Sequence, residues 1–478
     1  MKKAKNTYSK HSFKKNPKRR TAGVIGKSRQ EHSIKVKVES LNENGDGVGF
    51  YKKMKLNIRK TLPGEEVLVK YDPSRSRKDR LQLEKILVPS PLRVEPECPH
   101  YEECGGCQLL HLDYQNQLLT KTNLVKQLQL SFPQLKSIKI NPMQGMPSPS
   151  HYRVKTQMPF DLQSGRAIYG LYRKGTHQVV PVDFCLVENR DANAALKIVA
   201  EWANDFNIPI YDETTGEGLL RHVVIRKGQF TNQLMVIIVV TKRDIPAWQD
   251  LVRMLRNQLH GLKSVVLNIN STATNIILGE ENLPAWGEKG IEDKLGTVRF
   301  KIYPETFFQT NVIQTVKILR TIDQKAQFTA SDKILDLYCG VGSFSLYFAG
   351  KVDQVFGIDS IAQSIATADE NAMLNQIYNA EFATHDLTQP FRPALPDGFQ
   401  PTVIIADPPR KGLSEAAIVD MMALAPQKIV YVSCNPKTLF KDLAILFENG
   451  YRAEEIDLFD MFPHTSHVES MVILHKQS

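Results

Sequence analysis

The chain has 478 residues, 42% of them hydrophobic, and a formal net charge of +10, which is too long for one ordinary core and predicts two or three domains. No run approaches the roughly 20 apolar residues of a membrane span, and six cysteines are too few and too irregular for a disulfide framework. No secretory apolar core opens the chain, so a cytoplasmic location is expected.

In chain order, the first feature is charge. Residues 1–30 carry 11 Lys or Arg and no acid, which leaves the rest of the chain near −1. A basic, disordered arm over 1–32 on a near-neutral body is a sequence-independent phosphate binder. Residues 33–90 then alternate apolar and polar side chains in short runs, as at 34–38 and 66–70, with turn signals at 44–50 and 62–64. Five short strands of this kind predict a small OB-like barrel. Thirteen Lys or Arg against eight Asp or Glu over residues 32–90 suit RNA contact.

A proline-punctuated linker at 89–99 leads into Cys98, Cys104 and Cys107, with Cys185 further on. Four thiolates are the ligand set of an iron–sulfur cluster or of a tetrahedral zinc site, and Gly105-Gly106 permits a tight wrap between the close pair. The pattern is helical from about 112 to 130. Strand-like stretches at 220–225 and 233–240 then mix with helical ones at 192–206 and 247–260, which predicts an α+β central domain over 91–300.

From residue 301 the rhythm alternates strand and helix, and a doubly wound α/β domain over 301–478 is expected. Predicted strands cover 333–337, 354–358, 380–384, 403–406, 428–432, 454–459 and 469–475, with helices at 343–350, 361–376, 414–424 and 437–449. That is the strand count of a class I methyltransferase. The first strand runs into Gly340-Val341-Gly342, where a ligand can approach the backbone closely. The second ends at Asp359, whose carboxylate can accept from ribose hydroxyls, and the third at His385-Asp386. Phe344 and Ser345 stand where a dinucleotide fingerprint needs its last glycine, so S-adenosylmethionine fits better than a dinucleotide. The fourth strand leads into Asp407-Pro408-Pro409-Arg410 and the fifth into Ser433-Cys434-Asn435-Pro436. A thiol at a strand mouth, beside a helix start that would lower its pKa, is a candidate nucleophile for covalent chemistry on a base. Arg410 either contacts phosphate or base, or closes its loop through a salt bridge.

These segments, together with the four cysteines, Phe307-Phe308-Gln309-Thr310-Asn311, Asp336-Leu337-Tyr338-Cys339-Gly340 and His467-Val468-Glu469, resemble the bacterial RNA uracil-5-methyltransferase family. The resemblance is to its iron–sulfur branch acting on 23S ribosomal RNA, and it covers about residues 33–478. It implies a Rossmann-like class I methyltransferase domain behind a TRAM barrel and an iron–sulfur central domain. It also implies Cys434 as nucleophile, Glu469 as base, and Gln309, Tyr338, Asp359 and Asp407 lining the cofactor pocket, with Asp407 close to the target base. Cys98, Cys104, Cys107 and Cys185 would bind a [4Fe-4S] cluster. Asp359 stands where the family more often has glutamate, and the shorter carboxylate can still reach a ribose. The implied partner is 23S ribosomal RNA, with no membrane and no obligate protein partner. Carbon 5 of uracil is a poor nucleophile, so a thiolate must first add at carbon 6, and a base must later remove the carbon-5 proton. Two rival substrates are uridine in transfer RNA and cytidine. The barrel and cluster cysteines argue against the transfer-RNA branch, and the absence of a cysteine in Asp407-Pro408-Pro409-Arg410 argues against cytidine. A non-catalytic RNA-binding assembly factor is the third reading.

Overall fold

The structure is a computed structural model that describes residues 32–72 and 81–477, so the basic arm expected over 1–32 lies outside the described residues except for His32. The first unit is a sheet of β1 (His32–Leu41), β2 (Gly47–Tyr51), β3 (Met54–Ile58), β4 (Glu66–Tyr71) and β5 (Leu81–Val88), ordered β3-β2-β1-β4-β5 with antiparallel neighbours. Alternate residues point to one face, and Ile34, Val36, Val38, Leu56, Ile58, Val67 and Val69 make a core of their own there. The stretch expected as a linker is tied back to this sheet. Arg93 pairs with the buried Glu65 carboxylate, Nε to Oε1 2.6 Å, and bridges to Leu112.

Next come α1 (Tyr114–Gln129) and β6 (Lys139–Gln144), then β7 (Lys155–Gln163), β8 (Arg166–Tyr172), β9 (Val179–Pro181), α2 (Arg190–Asp205), β10 (Leu220–Lys227), β11 (Leu234–Val240), α3 (Trp248–Gln258), β12 (Leu262–Ile269) and β13 (Glu281–Gly287). The central sheet is ordered β13-β12-β11-β10-β7-β8-β9. Its middle strands β10 and β11 are buried along their whole length, β11 as its unbroken apolar run requires and β10 with Arg221, His222, Arg226 and Lys227 enclosed as well. A hairpin, β14 (Ile291–Leu295) with β15 (Val298–Ile302), leads through α4 (Val312–Ala326) into the C-terminal sheet.

That sheet contains β16 (Lys333–Leu337), β17 (Gln354–Asp359), β18 (Ala380–Thr384), β19 (Val403–Ala406), β20 (Lys428–Ser433), β21 (Tyr451–Arg452), β22 (Glu455–Phe459) and β23 (Glu469–Lys476), alternating with α5 (Ser343–Phe348), α6 (Ala362–Leu374), α7 (Glu415–Leu424) and α8 (Pro436–Glu448). The order is β18-β17-β16-β19-β20-β23-β22-β6, with β21 attached to β23. The strands from β18 to β20 are parallel, and β23 enters antiparallel against β20. Strand order reverses between β16 and β19, the place where open α/β sheets bind ligands beyond their strand ends. Successive residues face opposite sides: Val403 and Ile405 join one core, Ile404 and Ala406 the other.

The predicted C-terminal elements appear within two residues of their expected bounds. One segment sits elsewhere than expected. β6 falls in the stretch read as central, yet it is the edge strand of the C-terminal sheet, parallel to β22, and α1 packs over it. Ile140 and Met143 of β6 share an apolar core with Ile456 and Leu458 of β22, which explains the placement.

Candidate active site

Cys434 follows a strand that is apolar and buried, and precedes a helix whose cap fixes the turn. Asn435 Oδ1 accepts from the Lys437 N–H, and Pro436 opens α8, where no N–H is needed. Asn435 also donates through Nδ2 to the Arg410 carbonyl at 2.8 Å, so one side chain both caps the helix and holds the Asp407–Arg410 loop beside Cys434. The loop's far end is pinned by Asp442, whose Oδ2 accepts from the Leu413 N–H at 3.0 Å and the Tyr431 hydroxyl at 2.5 Å.

Antiparallel register brings in Glu469. Ser433 pairs with Ser470 at the end of the β20–β23 ladder, and Glu469, the next residue of β23, is near enough to Cys434 to raise its pKa. Glu469 is buried. Burial first, then the neighbouring Asp407 carboxylate, raises its pKa well above the ordinary range, with Arg410 opposing. Asp407 is likewise raised by burial, against a hydrogen bond from Gln309. The Cys434 thiol is pushed up to about 11 by burial, then by Glu469 and Asp407, with Arg410 pulling down. The helix start was expected to lower this thiol's pKa; enclosure with two carboxylates outweighs it. His467 faces the same space and is lowered to about 4 by burial and Arg410, which keeps it neutral. Its Nε2 lies 3.4 Å from Arg410 Nη2.

Three of the expected cofactor residues, Tyr338, Asp359 and Asp407, lie at neighbouring strand ends, and Gln309 reaches Asp407 from the loop before α4. Tyr338 adopts φ +67°, followed by Gly340 at +55° and Gly342 at +82°, a left-handed turn that costs the tyrosine strain and the glycines nothing. This turn aims the Gly340 N–H at Asp359 Oδ2, 3.0 Å away, while Asp359 Oδ1 accepts from the Ile361 N–H at 2.9 Å. Gln309 Nε2 donates to Asp407 Oδ2 at 3.3 Å. Beneath the turn, Asp336 Oδ2 accepts from Ser345 N–H and Oγ, and its Oδ1 is buried without a partner. Burial raises Asp336 to about 7. A carboxylate beside an amide suits an ammonium group, and a carboxylate at the second strand end suits ribose hydroxyls, so the donor set fits S-adenosylmethionine. Asp386 contributes differently from Asp359: its Oδ1 accepts from Thr388 N–H and Oγ1 within its own turn.

Cys98, Cys104, Cys107 and Cys185 all line one cavity of about 200 Å³. All four are free thiols. Burial and mutual repulsion push up Cys104 and Cys107, and burial with Glu188 raises Cys185 to about 12. Among the described residues, no three His, Cys, Asp or Glu side chains converge closely enough to hold a single metal ion. The four thiols instead surround an open volume, and four soft donors around a space are chemically suited to a polynuclear cluster. The β22–β23 loop forms a wall shared with the active site. Thr465 lines the cysteine cavity, while His467 and Val468 line the groove that opens on Cys434. The His464 carbonyl accepts from the N–H groups of Gln108 and Leu109, each at 2.9 Å, next to Cys107.

Asn435, Asp442 and the shared loop were not singled out from the sequence. Asn435 carried a usable signal, an Asn-Pro helix start. Asp442 is a mid-helix acid with no such mark.

The strand order, the glycine-bearing first loop and the carboxylate at the second strand end define an S-adenosylmethionine-dependent methyltransferase of the α/β class. The family model described as tRNA (Uracil-5-)-methyltransferase matches residues 113–477, and the chain belongs to this RNA uracil-5-methyltransferase family. It is 35% identical to an uncharacterized RNA methyltransferase of Clostridium acetobutylicum, over 94% of this chain and 98% of that protein. A Halalkalibacterium halodurans protein with the same description is 38% identical, over 91% and 95%. Among solved structures, the Pyrococcus abyssi tRNA (uracil-54, C5)-methyltransferase in complex with S-adenosyl-L-homocysteine superposes with a TM-score of 0.73 at 30% identity, covering 92% of this chain and 99% of its own. No described helix is long and apolar enough to cross a membrane.

Proposed function

We propose that this chain methylates carbon 5 of a specific uridine in 23S ribosomal RNA through a covalent adduct between Cys434 and carbon 6. The observation that carries this reading is the gathering of Cys434, Glu469 and Asp407 just past the Ser433–Ser470 pair, where each carboxylate raises the thiol's pKa. S-adenosylmethionine supplies an electrophilic methyl group. Gln309, Tyr338, Asp359 and Asp407 would hold it, the Asp359 carboxylate suiting ribose hydroxyls and the Gln309–Asp407 pair an ammonium group. The Cys434 thiolate forms a bond to carbon 6, and the electron pair so placed on carbon 5 would take up the methyl group, with S-adenosylhomocysteine leaving. Arg410 favours that thiolate, being the only charge named above that lowers the thiol's pKa. After methylation, the Glu469 carboxylate takes the carbon-5 proton, the double bond re-forms and Cys434 leaves carbon 6. A carboxyl raised by burial is a strong proton acceptor once ionised. The target base must first leave its stack, at a cost of roughly a few kcal/mol, which phosphate contacts by the first sheet and basic arm would offset. Cys98, Cys104, Cys107 and Cys185 would bind a [4Fe-4S] cluster in the adjoining cavity.

A second reading, uridine in transfer RNA, is favoured by the Pyrococcus abyssi enzyme. Because that relative covers 92% of this chain, the presence of the N-terminal additions does not by itself exclude transfer RNA. Methylation of ribosomal and transfer RNA from a strain lacking this protein, followed by nucleoside mass spectrometry, separates the two. The proposal expects 5-methyluridine at discrete 23S positions and none with Cys434→Ala. Label only in transfer RNA, or near-parental turnover by Cys434→Ala, overturns it.

A further inference from the structure

The groove opening on Cys434, about 550 Å³, is walled by the first sheet, α1 and the start of α8. Its charged lining is lopsided. Lys55, Arg410 and Lys437 face it, and Glu43 is the one acidic residue among those described that line it. Glu43 is exposed but paired. Its Oε2 lies 2.5 Å from Lys437 Nζ, which links the β1–β2 turn to the second residue of α8, three positions after the nucleophile.

Both ends of this contact are held in place by the backbone. Asn42 Oδ1 accepts from the N–H groups of Asn44 and Asp46, at 2.8 and 3.0 Å, closing a tight Asx-type turn around Glu43. That turn is docked: a Cβ on Gly45 would come within 3.1 Å of Gln108 and Leu109, and Asp46 receives Lys174 Nζ at 3.3 Å. The Lys437 backbone N–H is held by the Asn435 cap at 3.1 Å. An exposed ion pair contributes little to stability, and both side chains here are half exposed or more. A rigid turn that presents one carboxylate to one lysine at the rim of a cationic groove therefore has a use other than stability.

We propose that Glu43 stands in for an RNA phosphate: in the empty enzyme its carboxylate occupies Lys437, and a backbone phosphate of the entering RNA replaces it. Lys437, beside Cys434, then grips the strand next to the displaced uridine. The exchange involves rotation of the Glu43 side chain only, since its turn is anchored. It trades one anionic oxygen ligand for another on the same ammonium, while RNA binding additionally releases counterions. Glu43 thus weakens contact with nucleic acid that does not place a phosphate at that point. The proposal rests on the RNA-methylation reading.

The test uses the full chain as parent, Glu43→Gln, Lys437→Gln and the double variant, with a fluorescent oligouridylate of about 20 nucleotides titrated by anisotropy over a range of salt. Both side chains are exposed, so the variants are expected to fold. Glu43→Gln should tighten binding by about two- to five-fold, the range an exposed ion pair allows. Lys437→Gln should weaken it and lower the salt slope by about one. The double variant should match Lys437→Gln alone, because the carboxylate acts only through that lysine. Equal tightening by Glu43→Gln with and without Lys437, or an unchanged salt slope in Lys437→Gln, overturns the exchange. Nucleoside analysis of RNA treated with the parent reads the methylation separately: absence of 5-methyluridine with the binding pattern intact would overturn the proposed function and leave the exchange standing.

Discussion

Replacing Glu469 with Gln separates the two halves of the proposed reaction. Burial is the largest cause holding the Cys434 thiol at about 11, and Glu469, where ionised, is the next. Glutamine keeps the volume and removes the charge, so the thiol becomes no harder to ionise and addition at carbon 6 is not slowed. The last step suffers instead, because no carboxylate then faces carbon 5 from the start of β23. Loss of a positioned base costs about 10²–10⁴-fold. The expected result is a Cys434–RNA adduct that forms at the parental rate or faster and breaks down about 10²–10⁴-fold more slowly. A denaturing gel of labelled RNA with enzyme and S-adenosylmethionine reads the adduct, and mass spectrometry reads released 5-methyluridine. Parental turnover by Glu469→Gln would refute its role as base. Failure to form any adduct, with cofactor still bound, would refute the order of steps.

Three further outcomes are expected. Asp336 is raised to about 7 by burial from an ordinary value of about 3.9, so its contribution to stability is full below about pH 4 and is lost as pH rises through 7. Asp336→Asn, which keeps an acceptor for Ser345, should flatten the corresponding fall in unfolding midpoint between about pH 4 and 7; an unchanged pH profile in a fluorimetric melt would count against this. Lys121 and Asp460 form a fully buried pair at 2.5 Å, and Lys121→Met should cost about 3–5 kcal/mol in urea unfolding by stranding the carboxylate, with Asp460→Leu added restoring much of it. A brown protein with about four irons and four sulfides per chain is expected from anaerobic preparation, with both lost in Cys107→Ser; stoichiometric zinc without sulfide would reject the cluster.

The catalytic sheet was legible because buried parallel strands are short, unbroken apolar runs, such as residues 428–432, ended by polar or glycine-bearing turns. Cys434 and Asp407 were legible for the same reason, since each directly follows such a run. β6 was not: Lys-Ile-Asn-Pro-Met-Gln carries only two well-buried apolar side chains and a proline, an edge strand whose partner is far away in sequence. Glu469 opens a strand without a periodic mark of burial, and only the Ser433–Ser470 register shows that it turns inward. The direction of the Cys434 shift failed on sequence grounds because a helix start is local, whereas Asp407 and Glu469 arrive from two other strands. The left-handed Tyr338 runs against a sterically based expectation that glycine would occupy that φ.

The edge position of β6 also governs when this chain can fold. Asn141 Nδ2 bonds Glu455 and Asp457, 314 and 316 residues away, and buried Lys121 waits for Asp460 across 339. During synthesis both partners of the early segment are made more than 300 residues after it. Until then β6 has an open edge and α1 a cation with nowhere dry to go, the exposed state that invites aggregation in large, non-local folds. A ribosome that stalls shortly before residue 455 therefore leaves β6 without its partner strand and Lys121 of α1 without its carboxylate.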